Sequence, residues 1–236
     1  MSKYSFSPIG YVESCFKQKF AIPRQPGLAP NARGIIRLCK KEFGREAVDG
    51  LEKSSHIWVQ FVFHETLEEG WSQRVRPPRL GGNKKIGVFA TRSTHRPSPI
   101  GLSVVRLKSI DFTDGVSLHI SGIDLLDGTP VLDIKPYVPY VDSVEGAENA
   151  LAASAPEKLP IQFSSAASRQ IESLQLAADT NLRSLIEEIL SQDPRPAYQD
   201  LDEKRTYGVR LLDFELKWRY VLFEGETRVE VLALNP

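Results

Sequence analysis

Three stretches of the chain join rigid backbone to groups that can bind and turn over a polar ligand. The first, Ala21 to Gly27, sets Arg24 and Gln25 between Pro23 and Pro26, whose rings fix the backbone. The second, Ala90 to Leu102, carries Arg92, His95 and Arg96 ahead of Pro97, Ser98, Pro99 and Gly101. The third, Ile123 to Tyr137, holds Asp124, Asp127 and Asp133 with Lys135 and Tyr137. Singly, Asp127-Gly128 and Pro97-Ser98-Pro99 read as ordinary turns; together, the second and third stretches are too long and too mixed for hairpin turns alone. Their carboxylates could take a ribose diol, and backbone beside Gly27 and Gly128 could read an adenine edge. A sulfonium suits carbonyl and carboxylate oxygens, so the set permits a cationic, adenosine-bearing cofactor without requiring one. A metal-dependent hydrolase could use the same three aspartates, but no paired histidine ligand accompanies them.

Other chemistries are poorly served. No P-loop, GxGxxG after a strand, GxSxG elbow or HExxH pair is present. Cys15 and Cys39 are the only cysteines, with no CxxC spacing, and read as reduced structural thiols. Among the four histidines, His119 falls on a polar strand face and His56 at a strand end, whereas His64 closes an apolar strand where a polar group can face a pocket.

Charge is unevenly spread. Residues 1 to 110 hold 19 Lys/Arg against 8 Asp/Glu, and residues 111 to 236 hold 11 against 22, so a formal net charge of zero conceals two oppositely charged halves. The stretch 70 to 110 has nine basic residues, Arg74, Arg76, Arg79, Lys84, Lys85, Arg92, Arg96, Arg106 and Lys108, and no acid. Such a patch suits the phosphates of an RNA, and it suits equally an internal or dimer interface with the acidic half. A non-catalytic RNA-binding barrel is therefore an alternative to an enzyme.

The elements that must carry these loops are mostly strands. Ser55 to His64 is a continuous apolar run, Gly87 to Ser93 and Leu102 to Ile110 flank the proline-rich loop, and Val116, Leu118 and Ile120 alternate with polar residues. Short antiparallel strands of this kind point to a mainly β chain built on a small antiparallel β-barrel. Residues 143 to 160 are small and polar and read as a linker between a first domain, 1 to 142, and a small C-terminal α+β domain, 161 to 236. From about Ala166 the pattern turns helical, with Leu182, Leu185, Ile186, Ile189 and Leu190 on one face until Asp193-Pro194 stops the helix. Phe214, Leu216, Trp218, Tyr220 and Leu222 then alternate with polar residues as a strand, paired with Val229 to Leu234 through the turn at Gly225. No stretch approaches a membrane span and the polar start lacks the apolar core of a signal peptide, so a cytoplasmic location is expected.

At the three loops the motifs PRQPG, RPPRLGG, GVFATRSTHRPSPIGLS and DLLDGTPVLDIKPYVPYVDS, with the later QDPRPAY, resemble the TsaA-like TrmO family along the whole chain. The resemblance implies an S-adenosylmethionine-dependent tRNA methyltransferase with a β-barrel in place of a Rossmann fold, working as a homodimer. Its expected product is m6t6A, made by N6-methylation of N6-threonylcarbamoyladenosine (t6A) at position 37 of threonine tRNA. By motif, the cofactor would touch Gln25, Pro26, Gly27, Phe63, His64, Arg92, Leu102, Leu125, Leu126, Asp127 and Gly128. Asp133, Lys135 and Tyr137 would serve catalysis, and an acceptor such as Asp133, or in its place Asp127, could hydrogen-bond the N6 proton. The RNA would lie on Arg74, Arg76, Arg79, Lys84, Lys85 and Arg96, with Arg195 and Tyr198 of QDPRPAY holding the neighbouring loop. One departure is Ser98, where the family commonly has Asn.

Overall fold

The computed structural model describes residues 4–77, 84–174, 181–196 and 199–235. Six antiparallel strands close a barrel: β1 (Gly10–Ser14), β2 (Arg33–Leu38), β3 (His56–Val62), β6 (Ile100–Asp111), β7 (Ser117–Ser121) and β8 (Pro130–Pro136). Around the barrel they run β1-β2-β7-β6-β3-β8, and β8 returns to β1. The alternation legible in the sequence decides which side chains fill it: Val12, Ile36, Ile57, Val59, Val105, Leu118, Ile120 and Val131 point inward and are buried. Two irregularities bend the strands enough to close, one leaving Leu132 unpaired opposite Gln60 and Phe61, the other leaving Lys108 unpaired in β6. Gly101 is paired with Phe61, and a Cβ on it would come within 2.2 Å of the Phe61 ring, so only glycine fits there.

Between β3 and β6 a two-stranded ribbon, β4 (Arg74–Val75) with β5 (Ile86–Gly87), stands off the barrel. The strand expected over Gly87 to Ser93 is not there. Its pairing stops at Gly87, and Val88–Ala90 form a single 3₁₀ turn closed by Thr91, whose N–H and hydroxyl both donate to the Val88 carbonyl at 3.1 and 2.8 Å. Local side-chain capping has overridden the strand preference of β-branched and aromatic residues.

A short helix, α1 (Pro139–Asp142), follows the barrel, and a stretch of turns leads to a second sheet. That sheet contains β9 (Ile161–Phe163), β10 (Thr206–Leu211), β11 (Phe214–Phe223) and β12 (Glu226–Asn235) in the order β10-β11-β12-β9, with β9 parallel to β12. Two helices accompany it. α2 (Ser165–Ser173) starts at Ser164, whose hydroxyl accepts from the Ala167 N–H, and α3 (Leu182–Leu190) starts at Asn181, which accepts from the Ser184 N–H. α3 buries the five apolar residues expected from its spacing. Residues 15–32 and the turn between β10 and β11 join the barrel to this sheet: Phe16 bridges Leu211, and the Leu212 N–H donates to the Cys15 carbonyl at 2.8 Å. No helix among the described residues is long and apolar enough to cross a membrane.

Candidate functional site

Where β3 ends and β6 begins, the chain encloses a cavity of about 670 Å³. The rigid loop 22–25 forms one wall, the segment 61–66 a second, and residues 91–96 with Ile100–Ser103 a third; Asp124, Leu126 and Thr129 close the end. The volume is that of a pocket for a small organic ligand.

The walls are fixed by specific contacts. The Phe63 N–H donates to the Pro99 carbonyl at 2.9 Å, which locks the end of β3 to the proline-rich loop, and the Phe63 ring meets Phe61 edge-on at 5.2 Å. The Arg92 guanidinium donates to Gln25 Oε1, tying the first motif loop to the second. Arg96 donates to the Thr91 carbonyl at 3.1 Å. At the rim Lys19 pairs with Glu69 at 3.3 Å and donates to the Glu65 carbonyl at 2.9 Å, while His95 Nε2 lies 3.7 Å from Glu69.

The least expected group is Asp124. It stands on the segment after β7 and accepts from the Ser103 hydroxyl at 2.7 Å. Burial pushes its carboxyl up to about 6, against the opposing influence of the Ser103 bond and the Arg92 charge. A carboxyl held near neutrality inside a cavity is poised for proton transfer.

Of the residues assigned to the cofactor by resemblance, Gln25, Phe63, His64, Arg92, Leu102 and Leu126 line this cavity together. Five others do not. Leu125 is 1 % exposed in the barrel core. Pro26 and Gly27 follow the lining loop, and Gly27, at φ 78°, turns its N–H to the Gly122 carbonyl at 2.8 Å. Asp127 accepts from the Ser14 N–H at 2.7 Å and pairs with Lys17 at 3.0 Å, so it anchors the end of β1, and Gly128 completes that turn.

Asp133, Lys135 and Tyr137 also lie outside the cavity of a single chain. Asp133 pairs with Lys135 at 2.7 Å and accepts the Ile134 N–H. Tyr137 packs its ring 5.9 Å from that of Trp58, whose indole N–H donates to Asp142. Register nevertheless puts Leu102, Gln60 and Asp133 in one row across β6, β3 and β8, so Asp133 shares the outer barrel face that begins at the cavity lip. The three aspartates of the hydrolase reading do not converge: Asp124 is in the cavity, Asp127 is on Lys17 and Asp133 is on Lys135.

The basic residues divide. Arg74, Arg76, Lys84 and Lys85 are exposed on the ribbon, with Trp71 54 % and Phe89 78 % exposed on its two arms. Neither aromatic is in the expected site: Trp71 stands alone in a polar stretch, and Phe89, in a run that reads as strand, is turned outward only by the turn at Val88–Ala90. Arg195, a candidate RNA contact by sequence, is engaged within the chain. Its guanidinium grips Asp193 through two hydrogen bonds, at 3.0 and 2.7 Å, and stacks 4.4 Å from the Tyr220 ring centroid, leaving its side chain 16 % exposed. Arg79 and Tyr198 lie outside the described residues.

Comparison with known proteins gives the family and the fold. Residues 11–143 match the model of the tRNA-methyltransferase O N-terminal domain, and residues 156–236 that of the TrmO C-terminal domain. The chain is 46 % identical over 239 residues to the tRNA (adenine(37)-N6)-methyltransferase of Escherichia coli, covering 100 % of both. It is 53 % identical over 217 residues, 92 % of this chain and 93 % of the other, to a Pseudomonas aeruginosa protein whose name proposes an S-adenosylmethionine-dependent methyltransferase, RcsF. The crystal structure of TrmO from Pseudomonas aeruginosa superposes with a TM-score of 0.83 at 44 % identity, over 100 % of this chain and 99 % of that one.

Proposed function

The chain belongs to the tRNA-methyltransferase O family, and on that premise we propose that it is an S-adenosylmethionine-dependent methyltransferase acting on N6 of the adenosine at position 37 of tRNA. The observation that carries this reading is one cavity that gathers Gln25, Phe63, His64, Arg92, Leu102 and Leu126 from four separate segments of the chain around the half-buried Asp124. These residues fit an adenosine-bearing sulfonium: Phe61 and Phe63 give an aromatic wall, Gln25 and Arg92 give polar contacts for the nucleoside or the amino-acid end, and Asp124 gives a negative charge. Bound there, S-adenosylmethionine supplies an electrophilic methyl group.

The finer reading is that the acceptor is t6A of threonine tRNA and the product m6t6A. The exocyclic nitrogen of such a base is a poor nucleophile, since its lone pair is delocalised, so the protein must orient it and remove its proton as the new bond forms. Asp124 is the cavity carboxylate best suited to accept that proton, and the Ser103 hydroxyl holds it in place. The RNA lies along the ribbon, where Arg74, Arg76, Lys84 and Lys85 meet phosphates, and Trp71 and Phe89 stack on unpaired bases of the anticodon loop. A second copy of the chain covers the outer face of β3 and β6, where Trp58, Val62, Ile100, Leu102 and Val104 surround Gln60 in a mostly apolar stripe with Leu102 50 % exposed. In that homodimer Asp133 and Lys135 border the site. A tRNA substrate puts the enzyme in the cytoplasm.

The test is mass spectrometry of nucleosides from threonine tRNA bearing t6A, after incubation with the protein and S-adenosylmethionine. The expected result is one added methyl group on t6A and none on tRNA lacking the threonylcarbamoyl group. Binding of tRNA without methylation would replace the enzyme by an RNA-binding barrel.

A further inference from the structure

The cavity wall formed by residues 22–25 belongs to a longer loop, 15–32, that the barrel holds only in part. Its backbone is strained at one point: Ala21 takes φ 66°, a left-handed conformation that opposes an L side chain and persists only where neighbours enforce it. The enforcing contacts come from the second sheet and its helix. Just before Ala21, the Phe20 ring stacks on Trp218 of β11 at 5.7 Å and an interplanar angle of 11°. Beyond the cavity-lining residues, Glu188 of α3 accepts from both the Asn31 backbone N–H at 2.9 Å and the Asn31 side-chain amide at 2.6 Å. Between these, Gln192 Nε2 donates to the Leu28 carbonyl at 3.3 Å. The loop is thus gripped on both sides of Ile22–Gln25 by residues from a part of the chain whose described residues place no side chain in the cavity.

We propose that the C-terminal sheet and α3 act as a clamp that sets the shape of the cofactor loop, with Glu188 and Trp218 as positioning residues for cofactor binding. The proposal rests on the reading of the cavity as the S-adenosylmethionine site. Asp and Glu side chains that accept two hydrogen bonds from one loop residue define its position more tightly than apolar packing does, and preorganising a binding loop appears in affinity because less order is lost on binding.

The experiment is calorimetric titration of the full chain with S-adenosylhomocysteine, comparing wild type with Glu188→Ala, Glu188→Gln and Phe20→Leu. Glu188→Ala should weaken cofactor-product binding roughly tenfold, as expected for a lost charge-assisted pair. Glu188→Gln, which keeps an acceptor for the Asn31 N–H, should restore most of the affinity. Phe20→Leu, which keeps apolar bulk but loses the stack, should weaken binding as Glu188→Ala does. In methylation assays the loss should fall on KM for S-adenosylmethionine, with kcat at saturation and tRNA affinity unchanged. Equal S-adenosylhomocysteine affinity in wild type and Glu188→Ala, or a matching loss of tRNA affinity, would overturn the clamp. A wild-type protein that binds no S-adenosylhomocysteine would remove the cavity assignment and the clamp with it, a result distinct from the other two.

Discussion

At the scale of single residues, Asp124 decides most. It lies in the third motif loop and is plain in the sequence as one of three aspartates, but nothing in its spacing separates it from Asp127 and Asp133. The distinction is one of surroundings: Asp127 is used up on Ser14 and Lys17, Asp133 faces out beside Lys135, and Asp124 is half-buried in the cavity on Ser103. Burial raises its carboxyl to about 6, so the folded chain holds that proton more tightly than the unfolded chain, in which the group titrates near its ordinary 3.8. Stability from this group is therefore present at acid pH and is lost as pH rises between those two values. Asp124→Asn should lower kcat by about 10²- to 10⁴-fold while raising stability near pH 8 by up to about 2 kcal/mol. Denaturant unfolding of both proteins should show that gap closing toward pH 4, and wild-type kcat should rise with pH through about 6. A variant that keeps full turnover would show that the N6 proton goes elsewhere.

At the scale of elements, alternation and helical spacing are legible because one face of each strand or helix is buried. Strands β3, β6 and β7 and the five apolar residues of α3 follow from that rule. The failures come where short-range hydrogen bonds or packing partners outvote pattern. Val88–Ala90 has strand-forming residues, yet Thr91 caps them into a turn. Leu125 sits inside the DLLDG motif but is core, since motif membership says nothing of which neighbour in a run points inward. Arg195 is a cation in an exposed-looking polar segment; Asp193 is its neighbour in the sequence, but only the fold supplies the Tyr220 ring as a second partner. The ribbon that the turn creates carries a prediction of its own: Trp71→Ala and Phe89→Ala should each raise KM for tRNA roughly tenfold, the cost of one lost stacking contact, and leave S-adenosylhomocysteine binding unchanged. Filter binding and steady-state kinetics would read both, and unaltered tRNA affinity would remove the ribbon from the RNA path.

At the scale of the whole molecule, charge and apolar surface are segregated in space. The ribbon is basic, the second half of the sequence is acidic, and one end of the outer face of β3 and β6 is apolar around Gln60. A stripe of that kind on an otherwise polar barrel is what a self-associating protein presents. Val104→Glu, a charge placed at its end opposite Trp58, should convert a dimer into a monomer in analytical ultracentrifugation at micromolar concentration. A chain that sediments as a monomer before substitution would sink the dimer reading, and with it the placing of Asp133 at the edge of the site.

The clamp has a consequence for how the protein is made. Every barrel strand lies before residue 137, so the barrel has all its strands on hand once β8 can return to β1. Glu188 and Trp218 are translated only afterwards. Until Glu188 and Trp218 are made, the loop at Ala21 lacks the contacts that grip it, so on this proposal it takes its binding shape only after they are in place. Barrel closure and cofactor competence are thus two separate moments in the life of a nascent chain.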